Sequence, residues 1–414
     1  MKKGKKYIIL CPDGMADFPL HELGEKTPLE YANTPNMDFI ASKGVSGLVK
    51  TIPDGYLPGS DVGSMSILGY DPAAYYTGRS PLEAASIGVE LGKDAVAFRL
   101  NLVNILDKNG TRIMHDYSGG HINTESAKKI IETFQKELNS SEFSFYPGVS
   151  YRHLMVAKNF NIKGLKTVAP HDIPDMPVKE YLPSGNPSSN VLLEIMSKAE
   201  EILKEHPVNK ERAAKGEVPA NSIWLWGQGY KPSMPTMQEL YGINGSVISA
   251  VDLVKGIGKY AGLNIINVPG ATGYLDTNYK GKVDYGMESL NSGNFVYIHV
   301  EAPDEASHEG SISNKIKAIE DFDKYVTGGV LNAVKQFKDY AVMILPDHYN
   351  PVKLKKHSLE PVPFCGTSKF IEHKKVKYST SGFSEANSQN SGLFFKSGSL
   401  LFKSFLNSFK EYVF

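Results

Sequence analysis

Apolar residues recur in different rhythms in different parts of this chain. Near the N-terminus they form a short continuous run, YIILC, that stops at Pro12-Asp13-Gly14. Such a run predicts a buried strand with a loop at its end. TPNMDFIASKG follows with helical spacing. Thr34 is its candidate N-cap, Pro35 suits the first helical position, and Gly44 is a stop. GLVKTIP predicts a second strand, YLPGSDVGS a Gly- and Pro-rich loop, and SMSILGYDP a short helix. Strand, helix, strand order predicts a parallel sheet with helices on its faces.

The middle third has longer, amphipathic periods. SPLEAASIGVEL has helical character, and VAFRLNLVNI predicts a strand closed by the turn DKNG. In INTESAKKIIETFQKELN, Ala127, Ile130, Ile131, Phe134 and Leu138 fall on one helical face behind a Thr124 cap. FSFYPGVSYRHLMVAK predicts a hairpin, APHDIPDMP a loop, and SNVLLEIMSKAEEILKEH a second long helix. Strands followed by helices predict an α+β insertion.

From Ser246 the first rhythm returns. NFVYIHV and YAVMIL are near-continuous apolar runs, as central strands covered on both faces must be. SNKIKAIEDFDKYVTGGVLNAVKQF between them predicts a helix. The stretch KKVKYSTSGFSEANSQNSG predicts a surface loop before a short final amphipathic helix. The expected fold is therefore α/β. A mainly parallel sheet with helices on both faces forms a discontinuous core from 1–80 and 246–414. An inserted α+β domain spans 81–245.

Composition narrows the partners. The 414 residues are 41% hydrophobic and 22% charged, values of a globular domain, and the formal net charge is zero. That balance offers no support for nucleic-acid or anionic-membrane binding. The basic start MKKGKK imitates a signal peptide, but the apolar run behind it is too short. No stretch reaches the roughly 18 apolar residues of a membrane span. Cys11 and Cys365 form no C-x-x-C pattern, which fits a reducing compartment. We therefore expect a cytoplasmic protein.

Candidate chemistry sits where the predicted strands end. Asp304 and His308 of HVEAPDEASHEG are four residues apart, so one helical turn puts both on one face. A helix-start Asp beside an unrelated surface His is an equally simple account. Asp347 and His348 are adjacent in ILPDHYNPV; both reach one site only past a strand end, which Pro346 and Pro351 mark. The alternative is a solvated turn. His357, in KKHSLEPVPF, reads singly as an exposed loop residue. Asp13 is a ligand or an Asx-turn residue. Ser60 either caps the following helix or acts as a nucleophile, which its hydroxyl becomes only with help such as a divalent ion. Together, three Asp, three His and one Ser suffice for two divalent metals and a nucleophile, and so for phosphoryl transfer.

The combined pattern resembles the alkaline phosphatase superfamily, and within it the cofactor-independent phosphoglycerate mutases of the archaeal type. ILCPDGMAD, KTPLEYANTPNMD, PGSDVGSMSILGYDP, YYTGRSPLEAASIGVEL, DYSGGHI, YPGVSYRHL, NSIWLWGQG, ISAVDLVKGIG, VPGATGYLDTNY, HVEAPDEASHEG and LPDHYNPV carry the resemblance over nearly the whole chain. It implies an alkaline-phosphatase-like core. It implies one metal held by Asp13, Ser60, Asp347 and His348, and another by Asp304, His308 and His357. Ser60 would become phosphorylated while phosphate moves between the 3- and 2-positions of glycerate, without 2,3-bisphosphoglycerate. Lys255 would stabilise the transferring phosphoryl group. His121 would meet substrate, with Gly119 and Gly120 letting backbone approach closely; Arg152 and His153 are further candidates. Arg79 could instead serve an interdomain contact.

Carboxylate and imidazole ligands suit Mn²⁺, with Mg²⁺, Co²⁺ or Zn²⁺ as alternatives, and no organic cofactor is expected. The partner would be a small phosphorylated substrate, and the protein a monomer or small homo-oligomer. Domain closure would hinge near Gly78 and Gly245. Two stretches depart from the family pattern: SGFSEANSQNSGLFFKSGSLL, and Gly63-Ser64-Met65 after the serine. A homoserine kinase or a metal-dependent phosphatase would use the same metals and serine on another acceptor.

Overall fold

The computed structural model describes residues 4–414; Lys2 and Lys3 of the basic start lie outside them. The chain divides into two compact units, Met1–Tyr76 with Met234–Phe414, and Thr77–Ser233. These divisions fall somewhat earlier in the chain than 80 and 245. The helix Met237–Tyr241 consequently belongs to the first unit, where Tyr241 Oη donates to Gly69 O and Tyr70 Oη to Pro235 O, both at 2.8 Å.

The first unit is built on an eight-stranded sheet. Its order is Phe394–Phe395, Val45–Val49, Val362–Ser368, Tyr340–Ile344, Lys6–Pro12, Phe295–Val300, Gly245–Ile248, Asn264–Ile265. The three central strands, Tyr340–Ile344, Lys6–Pro12 and Phe295–Val300, are parallel neighbours. All residues of the first and third of these are buried, which explains their unbroken apolar runs. Val362–Ser368 runs antiparallel to both of its neighbours, so the sheet is mainly, not wholly, parallel. Helical side chains of Met37, Ile40, Ile319 and Phe322 share one core with Ile8, Leu10, Val296 and Ile298 of the strands.

Two helix starts differ from expectation. Thr34 precedes the helix Pro35–Lys43 but makes no side-chain cap. Asp323 does that work from a distance: its Oδ1 accepts from Met37 N at 2.7 Å and its Oδ2 from Asn36 N at 3.2 Å. Asp323 belongs to a π-helical segment, Phe322–Thr327, that interrupts the single helix expected between Ser313 and Phe337. Such a widened turn re-aims side chains, and its partner is invisible to local sequence reading. In the second unit the helix Thr124–Glu137 is capped by Asn123, not Thr124: Asn123 Oδ1 accepts from Ser126 N at 2.9 Å.

The C-terminal segment is also more ordered than a surface loop. It contains a helix, Glu385–Asn390, with Phe383 and Ser388 buried. Glu385 accepts from Asp17 N at 3.0 Å and from Thr27 Oγ1 at 2.6 Å, tying this polar stretch to the loop beyond the first strand.

The second unit has a five-stranded antiparallel sheet. Ala95–Lys108 pairs with Thr111–Asp116, Arg152–Lys158 and Ser222–Tyr230, and Phe143–Tyr146 pairs with Arg152–Lys158. Ile130 and Phe134 of one long helix, and Leu192 and Leu203 of the other, share its core with Phe98, Leu100 and Trp224. No helix among the described residues is long and apolar enough to cross a membrane.

Candidate metal centre and basic cluster

Asp13, Asp304, Asp347 and His348 lie just past the C-terminal ends of the three central strands, the usual ligand position in open α/β sheets. Asp13 follows Lys6–Pro12, and Asp347 and His348 follow Tyr340–Ile344. Phe295–Val300 leads into the helix Ala302–Glu309, which carries Asp304 and His308 one turn apart. Ser60 is the first residue of the helix Ser60–Ile67; Gly59 is the N-cap, and the serine side chain does not cap. Two glycines permit the crowding. Gly14 has φ +58° and donates N–H to Asp347 Oδ1, while a Cβ there would overlap Asp304 Oδ1. A Cβ at Gly63 would sit 2.6 Å from Asp347 O, so the glycine lets the serine helix approach the strand end.

The side chains form two adjoining groups. In one, Asp304 Oδ2 lies 3.1 Å from His308 Nε2 and Asp304 Oδ1 lies 3.3 Å from His357 Nε2. In the other, Ser60 Oγ donates to Asp13 Oδ2 at 3.1 Å and lies 3.4 Å from His348 Nε2. His348 Nε2 is also 3.4 Å from Asp13 Oδ1 and 3.7 Å from Asp347 Oδ2. The rings of His348 and His357 stack with centroids 3.9 Å apart, joining the groups.

All three histidines are tied down by their other nitrogen. His308 Nδ1 faces Lys355 O, His348 Nδ1 faces Tyr349 O, and His357 Nδ1 faces Pro58 O, at 3.1–3.3 Å. A carbonyl can only accept, so each Nδ1 carries the proton and each Nε2 is left as a ligand atom. Asp13 Oδ1 and Asp347 Oδ2 are buried without hydrogen-bond partners. Burial, reinforced by Asp347 and Asp304, pushes the Asp13 carboxyl well above the usual range. Asp304 moves the other way, because hydrogen bonds from His308 and His357 outweigh its burial. Unpartnered buried carboxylate oxygens and aligned imidazole nitrogens are a donor set that divalent cations fit.

A second concentration of charge lies in the second unit. Arg99 is buried, donates to Glu83 Oε1 at 2.5 Å, and stands 5.1 Å from the Trp226 ring centroid. Arg79 faces the same ring at 5.5 Å, and His171 meets it edge-on at 5.3 Å. Arg152 is exposed and lies over Tyr151 at 4.4 Å. Burial first, and then Arg79, Arg99 and Arg152 against the opposing pull of Asp172, lower the His171 pKa. The cluster therefore has excess positive charge held on aromatic faces, a setting for an oxyanion.

The expected substrate residues fare unequally. His121 is exposed and holds φ +50°, a strained value for a residue with a Cβ. Gly119 and Gly120 serve the protein's own packing: a Cβ at Gly120 would meet Val218, and both carbonyls accept from Arg212. His153 is 2% exposed and accepts from Gly148 N through Nδ1. Burial and then Arg99 pull its pKa down to about 3, so it stays neutral. It is a weaker candidate for direct anion contact than Arg152.

Comparison with known proteins now decides the family. The model of the 2,3-bisphosphoglycerate-independent phosphoglycerate mutases matches residues 41–209. A probable mutase of this kind from Geobacter sulfurreducens is 49% identical over 402 residues, covering 97% of this chain and all of the relative. The one from Methanosarcina acetivorans is 51% identical, covering 87% of this chain and 90% of its own. The chain belongs to the 2,3-bisphosphoglycerate-independent phosphoglycerate mutase family. The fold agrees: the structure of the cofactor-independent phosphoglycerate mutase from Thermoplasma acidophilum matches 98% of this chain and 99% of its own, with TM-score 0.65 and 25% identity. A Pyrococcus horikoshii protein, PH0037, matches with TM-score 0.81, 28% identity and 97% coverage of both chains.

In this mutase-family chain several ionisable residues beside the site carry no local sequence signal of their own. His299 is fully buried with Nε2 3.1 Å from Asp13 Oδ2, and its Nδ1 is 3.2 Å from Ser249 Oγ. Lys282 is fully buried and donates to His299 O at 2.9 Å. Burial lowers its pKa to about 8 and raises that of Glu301 to about 8. His299 and Glu301 lie in the same strand-end stretch as Asp304, and that shared stretch is the signal that could have found them. Lys255 is on the helix Asp252–Tyr260, which packs against the serine helix, with Nζ 3.6 Å from Asp252 Oδ1.

Proposed function

We propose that this protein interconverts 3-phosphoglycerate and 2-phosphoglycerate through a phosphoserine at Ser60. The observation that carries the reading is the set of three Nδ1-anchored histidines whose Nε2 atoms meet buried carboxylates beside Ser60. The names of relatives at about half identity over most of the chain support the mutase over a homoserine kinase or a phosphatase.

Asp13, Ser60, Asp347 and His348 would hold one divalent cation, and Asp304, His308 and His357 the other; Mn²⁺ suits this donor set. Such cations neutralise charge on the transferring phosphoryl group and make a serine hydroxyl easier to deprotonate. Ser60 Oγ attacks phosphorus, and the bond from phosphorus to the glycerate 3-oxygen breaks. Glycerate takes a proton, turns, and attacks the phosphoserine through its 2-oxygen. The Ser60–phosphorus bond then breaks and the serine proton is restored, so no water or second substrate is consumed. Lys255, on the helix packed against the serine helix, would stabilise the transferring phosphoryl group, and Lys282, buried against His299 O, would add to the positive field. Arg152, with Arg79 and Arg99, would hold the carboxylate or phosphate, and His121 would assist.

The direct test gives the Mn²⁺-loaded protein 3-phosphoglycerate, with neither 2,3-bisphosphoglycerate nor ATP. Formation of 2-phosphoglycerate is expected, and Ser60→Ala should lower turnover by about 10⁴-fold or more while the fold persists. Release of inorganic phosphate alone would mark a phosphatase. ATP-dependent phosphorylation of homoserine without mutase turnover would overturn the reading.

A further inference from the structure

Asp304 has a neighbour that the metal pattern does not include. Asn350 is fully buried, and its Nδ2 donates to Asp304 O at 3.1 Å and to Asp304 Oδ1 at 2.7 Å. Both partners can only accept, so the amide has one usable orientation. That orientation leaves Asn350 Oδ1 buried without a hydrogen-bond partner. An apolar residue would avoid this penalty, so the donor has a use that outweighs it.

The backbone of Asn350 is itself anchored. Its N–H donates to Ala16 O at 3.2 Å, and its carbonyl accepts from Lys315 Nζ at 2.8 Å. Lys315 is fully buried and also donates to Asp17 Oδ2 at 2.8 Å, which in turn accepts from Val352 N. This network contains no proposed metal ligand except its end point, Asp304.

We propose that Asn350 is a positioning residue that fixes the Asp304 carboxylate for cation binding. It holds Oδ1, which lies 3.3 Å from His357 Nε2, and so leaves Oδ2 facing His308 Nε2 at 3.1 Å. The inference rests on the assignment of Asp304 as a ligand. Partners that orient a ligand typically contribute 10- to 100-fold to metal affinity.

The test titrates the metal-free full-length protein with Mn²⁺, following free ion by electron paramagnetic resonance. Asn350→Ala should weaken one of two binding steps about 10- to 100-fold and leave the other unchanged. Asn350→Asp keeps the shape but turns the donor into an acceptor facing Asp304, and should be weaker still. A merely structural role predicts the reverse order, with the isosteric Asp closer to the parent. In an Asp304→Ala background the Asn350 substitution should have no further effect on affinity. If Asn350→Ala does not fold, Asn350→Ser replaces it, because one hydroxyl cannot span both acceptors. Unchanged affinity in the Asn350 variants, with one step lost in Asp304→Ala, would overturn this inference alone. Two intact steps in Asp304→Ala would overturn the metal assignment as well.

Discussion

The two units concentrate charge by opposite means. In the first, Asp13, Asp304 and Asp347 are buried at the ends of parallel strands, and cations would balance them. In the second, arginines rest on Trp226 and Tyr151 beside an antiparallel sheet, and an anion would balance them. The first arrangement needs ligands fixed to fractions of an ångström, so it is built on strand ends and braced histidines. The second needs a field and a few forked donors, which side chains from scattered elements can supply. Disabling one should therefore remove chemistry, and disabling the other should remove substrate affinity.

The largest effect should come from the first unit. His357→Ala removes a proposed ligand whose ring also stacks on His348. We expect turnover to fall by about 10³-fold or more, with one of two Mn²⁺ equivalents lost. Atomic absorption on the purified variant measures the second quantity. A variant with two tightly held ions and full turnover would end the assignment of His357.

Arg152→Met should act differently. A charge-assisted, forked contact contributes about 2–3 kcal/mol, so KM for phosphoglycerate should rise about 30- to 150-fold. The Mn²⁺ content should not change. An unchanged KM would move the anion site away from Arg152, and a lost metal would break the division between the units.

The same contrast explains what could be read in advance. Asp13, Asp347 and His348 were legible because a strand end announces itself locally, by an apolar run stopped at Pro or Gly. Asp304 and His308 were legible because one helical turn links them. Arg99 was not, because within VAFRLNLVNI it looks like the outward-facing residue of a strand. Only pairing with Ser222–Tyr230 brings it to Trp226. Asp323 and Glu385 were missed for a similar reason. Each satisfies backbone N–H groups hundreds of residues away, and no local period records that.

Glu385 separates the units by stability. Burial raises its pKa to about 7 from the ordinary 4.5, although Thr27 and Asp17 N–H pull the other way. The folded state therefore holds its proton more tightly than the unfolded chain does. Its stabilising contribution is full below pH 4.5, declines as pH rises through 7, and is then constant. The span is about 3 kcal/mol. Glu385→Gln should remove this slope from chemical denaturation followed by circular dichroism. Trp224 and Trp226, the two tryptophans of the chain, both lie in the second unit. Their fluorescence transition should keep the same pH dependence in parent and variant. If it moves as much as the circular dichroism signal, the two units unfold as one.

The smallest expected effect concerns protons at the candidate metal centre. Burial works against a charged His308, but the hydrogen bond and charge of Asp304 outweigh it and raise the pKa to about 9. Because Nδ1 donates to Lys355 O, the extra proton of the metal-free state sits on Nε2, the ligand atom. A cation must displace it. Mn²⁺ affinity should thus fall up to about tenfold for each pH unit below 9, and binding near pH 7 should release about one proton from this residue. Calorimetry in buffers of different ionisation enthalpy measures that release. Phosphoglycerate binding at the arginine cluster should release none there, since guanidinium groups stay charged at these pH values. Equal proton release on adding either ligand would show that the two charge concentrations titrate as one system, and the contrast between the units would fail at its most basic level.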